Sequence, residues 1–268
     1  MSGFARALGI DLAAEPVNTG AAVVETSEDA ITVEILSGRL DDDALVDMAA
    51  SVDVVGLDAP LGWPDPFVDA VIAHHDLRAW PAADDPMAQR RLLSKRLTDR
   101  VVKEVTGLDP LPVAADRIAA VAMRAARLQT LFGERWGGLQ DRSGGGRLVE
   151  AYPAAALKRW MLTFRGYKAE KGTDTRRDLV RALVEAAPWL NLSGSTERCL
   201  ASDDCFDAVV TGLVALASKV GATRAPTDEE RRVAAREGWI HLPTTSLAAL
   251  GERLLGETTH SSRRLRRR

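Results

Sequence analysis

The sequence predicts one α/β domain: a mixed sheet of five strands flanked by helices, with helical material inserted between the fourth and fifth strands. Three observations predict it. Short Val-, Ile- and Leu-rich segments separated by turn residues occupy the first 36 positions; a nearly continuous apolar run covers residues 52–58; and the texture beyond Pro60 is mainly helical.

Residues 5–13, 20–25 and 30–36 read as three strands, because Pro16, Asn18, Gly20 and the Ser27-Glu28-Asp29 cluster punctuate them as hairpin turns do. Residues 41–51 read as a helix, with Leu45, Met48 and Ala49 at helical spacing behind three aspartates that suit the positive end of a helix dipole. The run Val52-Asp53-Val54-Val55-Gly56-Leu57-Asp58, stopped by Pro60, is apolar without alternation, which predicts a strand covered on both faces and parallel to its neighbours.

Helices are expected over 64–80, 92–105 and 116–132. Ser143-Gly144-Gly145-Gly146 is a connector into a fifth strand at 147–152, and Pro153 opens a helix running to Trp160. Further helices are expected over 174–186, 203–217 and 227–236, with a last short strand at 239–242. The succession β-β-β-α-β-α-β-α with a helical insertion is that of the RNase H-like fold. With no internal repeat and no long polar linker, residues 1–258 form one domain, and the basic stretch 259–268, carrying Arg263, Arg264, Arg266, Arg267 and Arg268, is expected to be a disordered tail.

Composition excludes several classes. The apolar fraction of 46% and charged fraction of 27% are those of a globular chain, and no run approaches the roughly 18 apolar residues of a membrane span. The N-terminus has no signal-peptide pattern, so a cytoplasmic location and no membrane partner are expected. Cys199 and Cys205 are too few for a disulfide framework and lie at no zinc-site spacing; the adjacent His74 and His75 read as surface residues. A formal charge of −3 argues against a chain basic throughout, although basic stretches run from Arg90 to Lys103 and from Lys158 to Arg181. Those stretches are equally solvated helix faces.

The chemistry is carried by acids. Asp11 ends Leu8-Gly9-Ile10 and Asp58 ends Val54-Val55-Gly56-Leu57, and a carboxylate at the end of an apolar strand is costly unless it is paired or holds a cation. If the first and fourth strands are neighbours, these two ends meet where the strand order reverses, which is where open α/β sheets bind ligands. Alone, each acid is equally a loop or helix cap. Asp204 and Asp207 are three apart at the start of a helix whose apolar face holds Val209, Val210, Leu213, Val214 and Leu216, so both project from one side; Asp203 reads as the N-cap. They suit either the helix dipole or the same cluster. Glu150, at the end of the fifth strand, is a further candidate that a nearby Arg or Lys would instead pair. Oxygen-only ligands suit Mg²⁺ or Mn²⁺.

Gly9-Ile10-Asp11, Gly56-Leu57-Asp58-Ala59-Pro60-Leu61-Gly62, Arg96-Leu97-Thr98-Asp99, Val149-Glu150-Ala151-Tyr152-Pro153-Ala154-Ala155 and the Asp-Asp-x-x-Asp-Ala stretch at 203–208 together resemble domain-of-unknown-function family 429, described as predicted nucleases with an RNase H-like fold. The likeness runs from Gly9 to about Leu242. The helix start at 203–208 is also similar to the last acidic motif of RuvC-type junction resolvases. The resemblance implies a metal role for Asp207 first and Asp204 second, beside Asp11 and Asp58, and places Arg96, Thr98, Asp99 and Tyr167-Lys168 near the same site. Read from the residues, Arg96 and Lys168 suit phosphate binding, while Thr98 and Asp99 equally suit helix capping.

The expectation is a metal-dependent nuclease or phosphodiesterase acting on nucleic acid: Asp11, Asp58, Asp207 and Glu150 catalytic, Asp11, Asp58, Asp204 and Asp207 holding Mg²⁺ or Mn²⁺, and Arg96 and Lys168 on phosphate. The rivals are a non-catalytic binding or regulatory protein on the same fold and, third, an actin-like or sugar-kinase-type phosphoryl transferase. Against the last, the turn after Asp11 lacks phosphate-cradling glycines.

Overall fold

In the computed structural model, which describes residues 4–82, 84–114 and 118–265, strands β1 (Arg6–Asp11), β2 (Gly20–Thr26) and β3 (Ile31–Ile35) form the expected antiparallel meander. Helix α1 (Asp42–Ala50) starts at Asp41, whose carboxylate accepts the Ala44 N–H at 3.1 Å, and β4 (Val54–Asp58) returns parallel to β1. The insertion holds α2 (Asp65–His75), α3 (Pro86–Ser94), α4 (Leu97–Thr106) and α5 (Ala119–Trp136), before β5 (Leu148–Glu150) pairs parallel with β4. Then follow α6 (Pro153–Arg159), α7 (Thr173–Ala186), β6 (Leu190–Asn191), α8 (Thr196–Ala201), α9 (Asp203–Lys219), β7 (Thr223–Arg224), α10 (Asp228–Glu237), β8 (Leu242–Pro243) and α11 (Leu247–Leu265).

Among the described residues the sheet has six strands in the order β5-β4-β1-β2-β3-β6, not five. The addition is β6, two residues parallel to β3, too short to leave an alternation in the sequence. The short strand expected at 239–242 is divided: Ile240 bridges Glu150 beside β5, and Leu242 pairs with β7 in a separate two-stranded ribbon. The helix expected over 92–105 is two helices. Lys95 is extended, and Asp99 in the first turn of α4 accepts the Arg96 backbone N–H at 2.9 Å, so the acid that reads as a cap does cap. Helix α2 ends at His75, short of residue 80, with Leu77 in the left-handed region at φ 56°. His74 and His75 are exposed. At the C-terminus, Leu247, Leu250 and Leu254 bury one stripe of α11; of the stretch expected as a tail, residues 266–268 lie outside those described.

One face of the sheet packs on α1 and α5 through Leu8, Ile10, Val55, Leu57, Leu45, Leu128 and Phe132. The other packs on α9, joined by α6, α7, α8 and α11. Helix α9 is apolar almost all round: every residue from Phe206 to Ala217 is buried, as expected of a helix with no solvent face. It lies across β1, β2 and β4. Glycines set its distance. A Cβ on Gly9 would stand 2.1 Å from the Ala208 carbonyl oxygen, one on Gly56 2.6 Å from that of Thr211, and one on Gly20 2.2 Å from that of Asp204. The helix backbone therefore rests directly on the sheet backbone.

Candidate functional site

Asp11 and Asp58 are register partners at the C-terminal ends of β1 and β4. Side chains alternate along a strand, so both leave the sheet on the face of Gly9 and Gly56, toward the start of α9. The recurring Gly-x-Asp at 9–11 and 56–58 has this physical sense: the glycine admits the helix, and the acid two residues on meets its first turn. Ser202 is the N-cap of α9, its hydroxyl accepting the Cys205 N–H at 3.2 Å. Asp203 is not the cap; its carboxylate accepts the Ala169 N–H at 3.1 Å and faces Arg176.

Asp207 is completely buried. The Tyr167 hydroxyl donates to its Oδ1 at 2.8 Å, and its Oδ2 meets Lys168 Nζ at 2.6 Å as an ion pair, without directional hydrogen-bond geometry. Tyr167 and Lys168 come from the loop after α6, which is held in an unusual path. Ala169 stands at φ 60°, ψ −177°, a region costly for a residue with a Cβ, and the buried Arg176 of α7 clamps the turn by donating to the carbonyls of Tyr167 at 2.7 Å, Ala169 at 3.2 Å, Leu200 at 3.0 Å and Ala201 at 3.3 Å. Nothing in the sequence pattern singles out Arg176, because its contacts are to backbone carbonyls far along the chain.

Burial pushes the Asp11 carboxyl well above the usual range, and the charges of Asp58 and Asp207 push it further; the Lys168 ammonium pulls the other way. Burial raises Asp58 to about 7, with Lys168 opposing and Asp207 and Glu150 adding. Asp204 and Asp207 are raised too, chiefly by burial. Lys168 is raised by the carboxylates around it. Four carboxylates thus face one ammonium, and the surplus negative charge must be met by protons or by a further cation. Among the described residues, the Asp11 and Asp58 side chains make no hydrogen bond or ion pair of their own. The donors are all hard carboxylate oxygens, which fits Mg²⁺ or Mn²⁺. As placed, however, no three His, Cys, Asp or Glu among the described residues stand close enough to hold an ion together. These acids are near enough to feel one another's charge and not yet near enough to chelate, with Lys168 drawn in among them.

Glu150 and Arg96 border the same site but are engaged with each other. Glu150 is the register partner of Leu57, so it leaves the opposite face from Asp58. It is buried in a two-pronged pair with Arg96, Nη1 to Oε2 at 2.9 Å and Nη2 to Oε1 at 2.7 Å. Arg96 donates also to Asp99, from Nε at 3.2 Å and Nη2 at 2.9 Å, and from Nη1 to the Glu237 carbonyl at 3.1 Å. All five guanidinium N–H groups are used, leaving none for a phosphate. The pairing alternative for Glu150 and the capping alternative for Asp99 describe this cluster better than catalysis does. Thr98 is buried, its hydroxyl accepting the Ile240 N–H at 2.8 Å. Lys168 is different: its side chain keeps 55% of its surface exposed.

A cavity of about 250 Å³ opens beside Asp11 and Asp58. The family model described as Protein of unknown function (DUF429) matches residues 9–231. The chain belongs to that family. The matched stretch of this DUF429 protein takes in Asp11, Asp58, Glu150, Lys168, Asp204 and Asp207. No curated protein and no solved structure matches it. No helix among the described residues is long and apolar enough to cross a membrane.

Proposed function

We propose that this protein is a divalent-metal-dependent phosphodiesterase acting on nucleic acid, built on an RNase H-like sheet. The observation that carries the reading is the Asp11–Asp58 pair: two desolvated carboxylates side by side at the switch point of the sheet, with no hydrogen-bond or ion-pair partner of their own among the described residues. Asp11 and Asp58 would hold Mg²⁺ or Mn²⁺, with Asp204 and Asp207 facing them from α9. A cation there would supply a nucleophile at neutral pH and charge to stabilise the leaving oxygen. Tyr167 fixes one oxygen of Asp207, and Lys168, half-exposed and tethered by the clamped loop, presents its remaining N–H groups to a phosphate oxygen. Arg165 adds positive charge nearby, since both it and Lys168 act on the Tyr152 hydroxyl.

The test is hydrolysis of a panel of DNA, RNA and nucleotide diesters with Mn²⁺ and Mg²⁺. Metal-dependent cleavage abolished by Asp11→Asn and by Asp58→Asn supports the reading; an intact panel overturns it. A second reading, a non-catalytic nucleic-acid-binding or regulatory protein, is favoured by one observation: the Lys168 ammonium already neutralises Asp207. Binding of oligonucleotide with no turnover would select it. The phosphoryl-transferase reading predicts ATP binding by calorimetry.

A further inference from the structure

The cavity beside the two aspartates has walls from two sources. The ends of β1 and β4 contribute Leu12 and Pro60, and the helical insertion contributes Leu111, Ile118 and Val121. The surface is mostly apolar, and the charged groups that touch it away from the aspartates, Arg96 and Glu150, are satisfied by each other. Its free polar group is the Tyr152 hydroxyl, which among the described residues makes no hydrogen bond while its side chain packs against the small apolar cluster that includes Val102, Ala155 and Ile240. An apolar slot with one hydroxyl fits a flat heteroaromatic ring, and the carboxylates at its edge, with a divalent cation between them and the substrate, fit the phosphate that such a ring carries in a nucleotide.

We propose that this cavity is a pocket for a single unstacked nucleobase, whose own phosphate lies at Asp11 and Asp58. Its size decides the class. At about 250 Å³ it falls just under the roughly 300 Å³ at which pockets for drug-sized ligands begin, so it takes one ring system and neither a base pair nor a stack of two. A base inside an intact duplex cannot enter without being turned out of its stack, which costs a few kcal/mol. The substrates are therefore single strands, frayed ends or mononucleotide esters. The inference rests on the phosphodiesterase reading for the placement of the phosphate, but base binding stands apart from it.

The experiment is calorimetric titration of the full chain with adenosine and cytidine 5′-monophosphates, ribose 5-phosphate and inorganic phosphate, in chelator and again with Ca²⁺. The expected result is that the nucleoside monophosphates bind at least tenfold more tightly than ribose 5-phosphate. Leu111→Trp, at a rim position 49% exposed and therefore tolerant of a larger side chain, should block the slot and remove that difference. Tyr152→Phe, which removes the slot's hydroxyl and keeps its apolar walls, should weaken both nucleoside monophosphates while leaving their preference over ribose 5-phosphate. Equal affinity for all four ligands in the wild type, or a base preference untouched in a folded Leu111→Trp, overturns the pocket. Base-dependent binding by a protein that cleaves nothing with Mn²⁺ supports the pocket and removes the catalytic reading instead. Cleavage of sugar-phosphate and nucleotide diesters at the same rate, without base preference, does the reverse.

Discussion

Asp11 and Asp58 stand directly opposite each other as the last residues of neighbouring parallel strands. Adjacent strands lie about 4.8 Å apart. At that spacing two ionised carboxylates repel by roughly 1 kcal/mol in water and by about 3–4 kcal/mol at an effective dielectric of 20. The fold supplies no hydrogen bond to either among the described residues, so the pair is a local cost of folding that a ligand would relieve.

Replacing either acid by Asn should therefore stabilise the metal-free protein. The sign follows from protons: a folded carboxyl held above its unfolded value binds more protons than the unfolded chain between about pH 4 and pH 7, so stability falls as pH rises through that window and is lowest above it. Asp58→Asn should gain on the order of 1–3 kcal/mol at pH 8 in chelator and almost nothing near pH 4. Urea unfolding at the two pH values measures it. A loss of stability at pH 8 would mean that Asp58 makes a stabilising contact.

His241 gives the opposite slope. Burial lowers its imidazole to about 4, its Nδ1 stands 2.9 Å from the Thr223 hydroxyl, and it is 4% exposed. A base whose folded pKa lies below the unfolded value binds fewer protons when folded, so its contribution is complete above about pH 6.5 and is lost as pH falls toward 4. Wild type minus His241→Gln should fall by about 3 kcal/mol across that interval. Taking the difference removes the opposing carboxylates. A flat difference would show an imidazole free to charge in place.

Arg96 is a test of structure against binding. Arg96→Met leaves Glu150 and Asp99 buried without their cation, and the loss should be about 3–5 kcal/mol, visible as a large drop in the denaturant midpoint. Arg96→Lys should recover only part of it, since an ammonium cannot make both forked pairs. If Arg96→Lys instead left stability intact and weakened oligonucleotide binding, Arg96 would belong to the phosphate site after all.

Gly9→Ala should damage the protein more than its size suggests. The added Cβ meets helix backbone, which cannot rotate away, so the cost should exceed the ~1–3 kcal/mol of ordinary overpacking. Gly194→Ala, with nothing within 4 Å of the added carbon, is the control. Thermal melting of both variants checks the contrast.

Much of this was legible in the sequence where periodicity spans several residues. The meander, the buried fourth strand, the inserted helices and the start of α9 all follow from apolar spacing and turn residues, and two acids at matching strand ends were enough to place Asp11 beside Asp58. What was not legible depends on direction or on distant backbone. Glu150 ends its strand as Asp58 does, yet the register of β5 turns it to the other face, and register is a tertiary property. Arg96 sits in a basic stretch, and only the fold brings Glu150 and the Glu237 carbonyl to it. Arg176 and the two-residue β6 leave no local pattern at all.

The glycine seat under α9 has a consequence for how the chain can vary. Because the helix is located by backbone touching backbone at Gly9, Gly20 and Gly56, the placement of Asp204 and Asp207 over the strand ends does not depend on which apolar side chains fill the surrounding core. Leucines and valines farther along α9 can be exchanged for others of similar volume at a cost usually below about 1.5 kcal/mol, while the acids keep their station. Transplanting the carboxylates onto another α/β sheet would need the bare glycine positions first and the aspartates second; with any side chain at those three places, the helix would stand off and its acids would end over solvent.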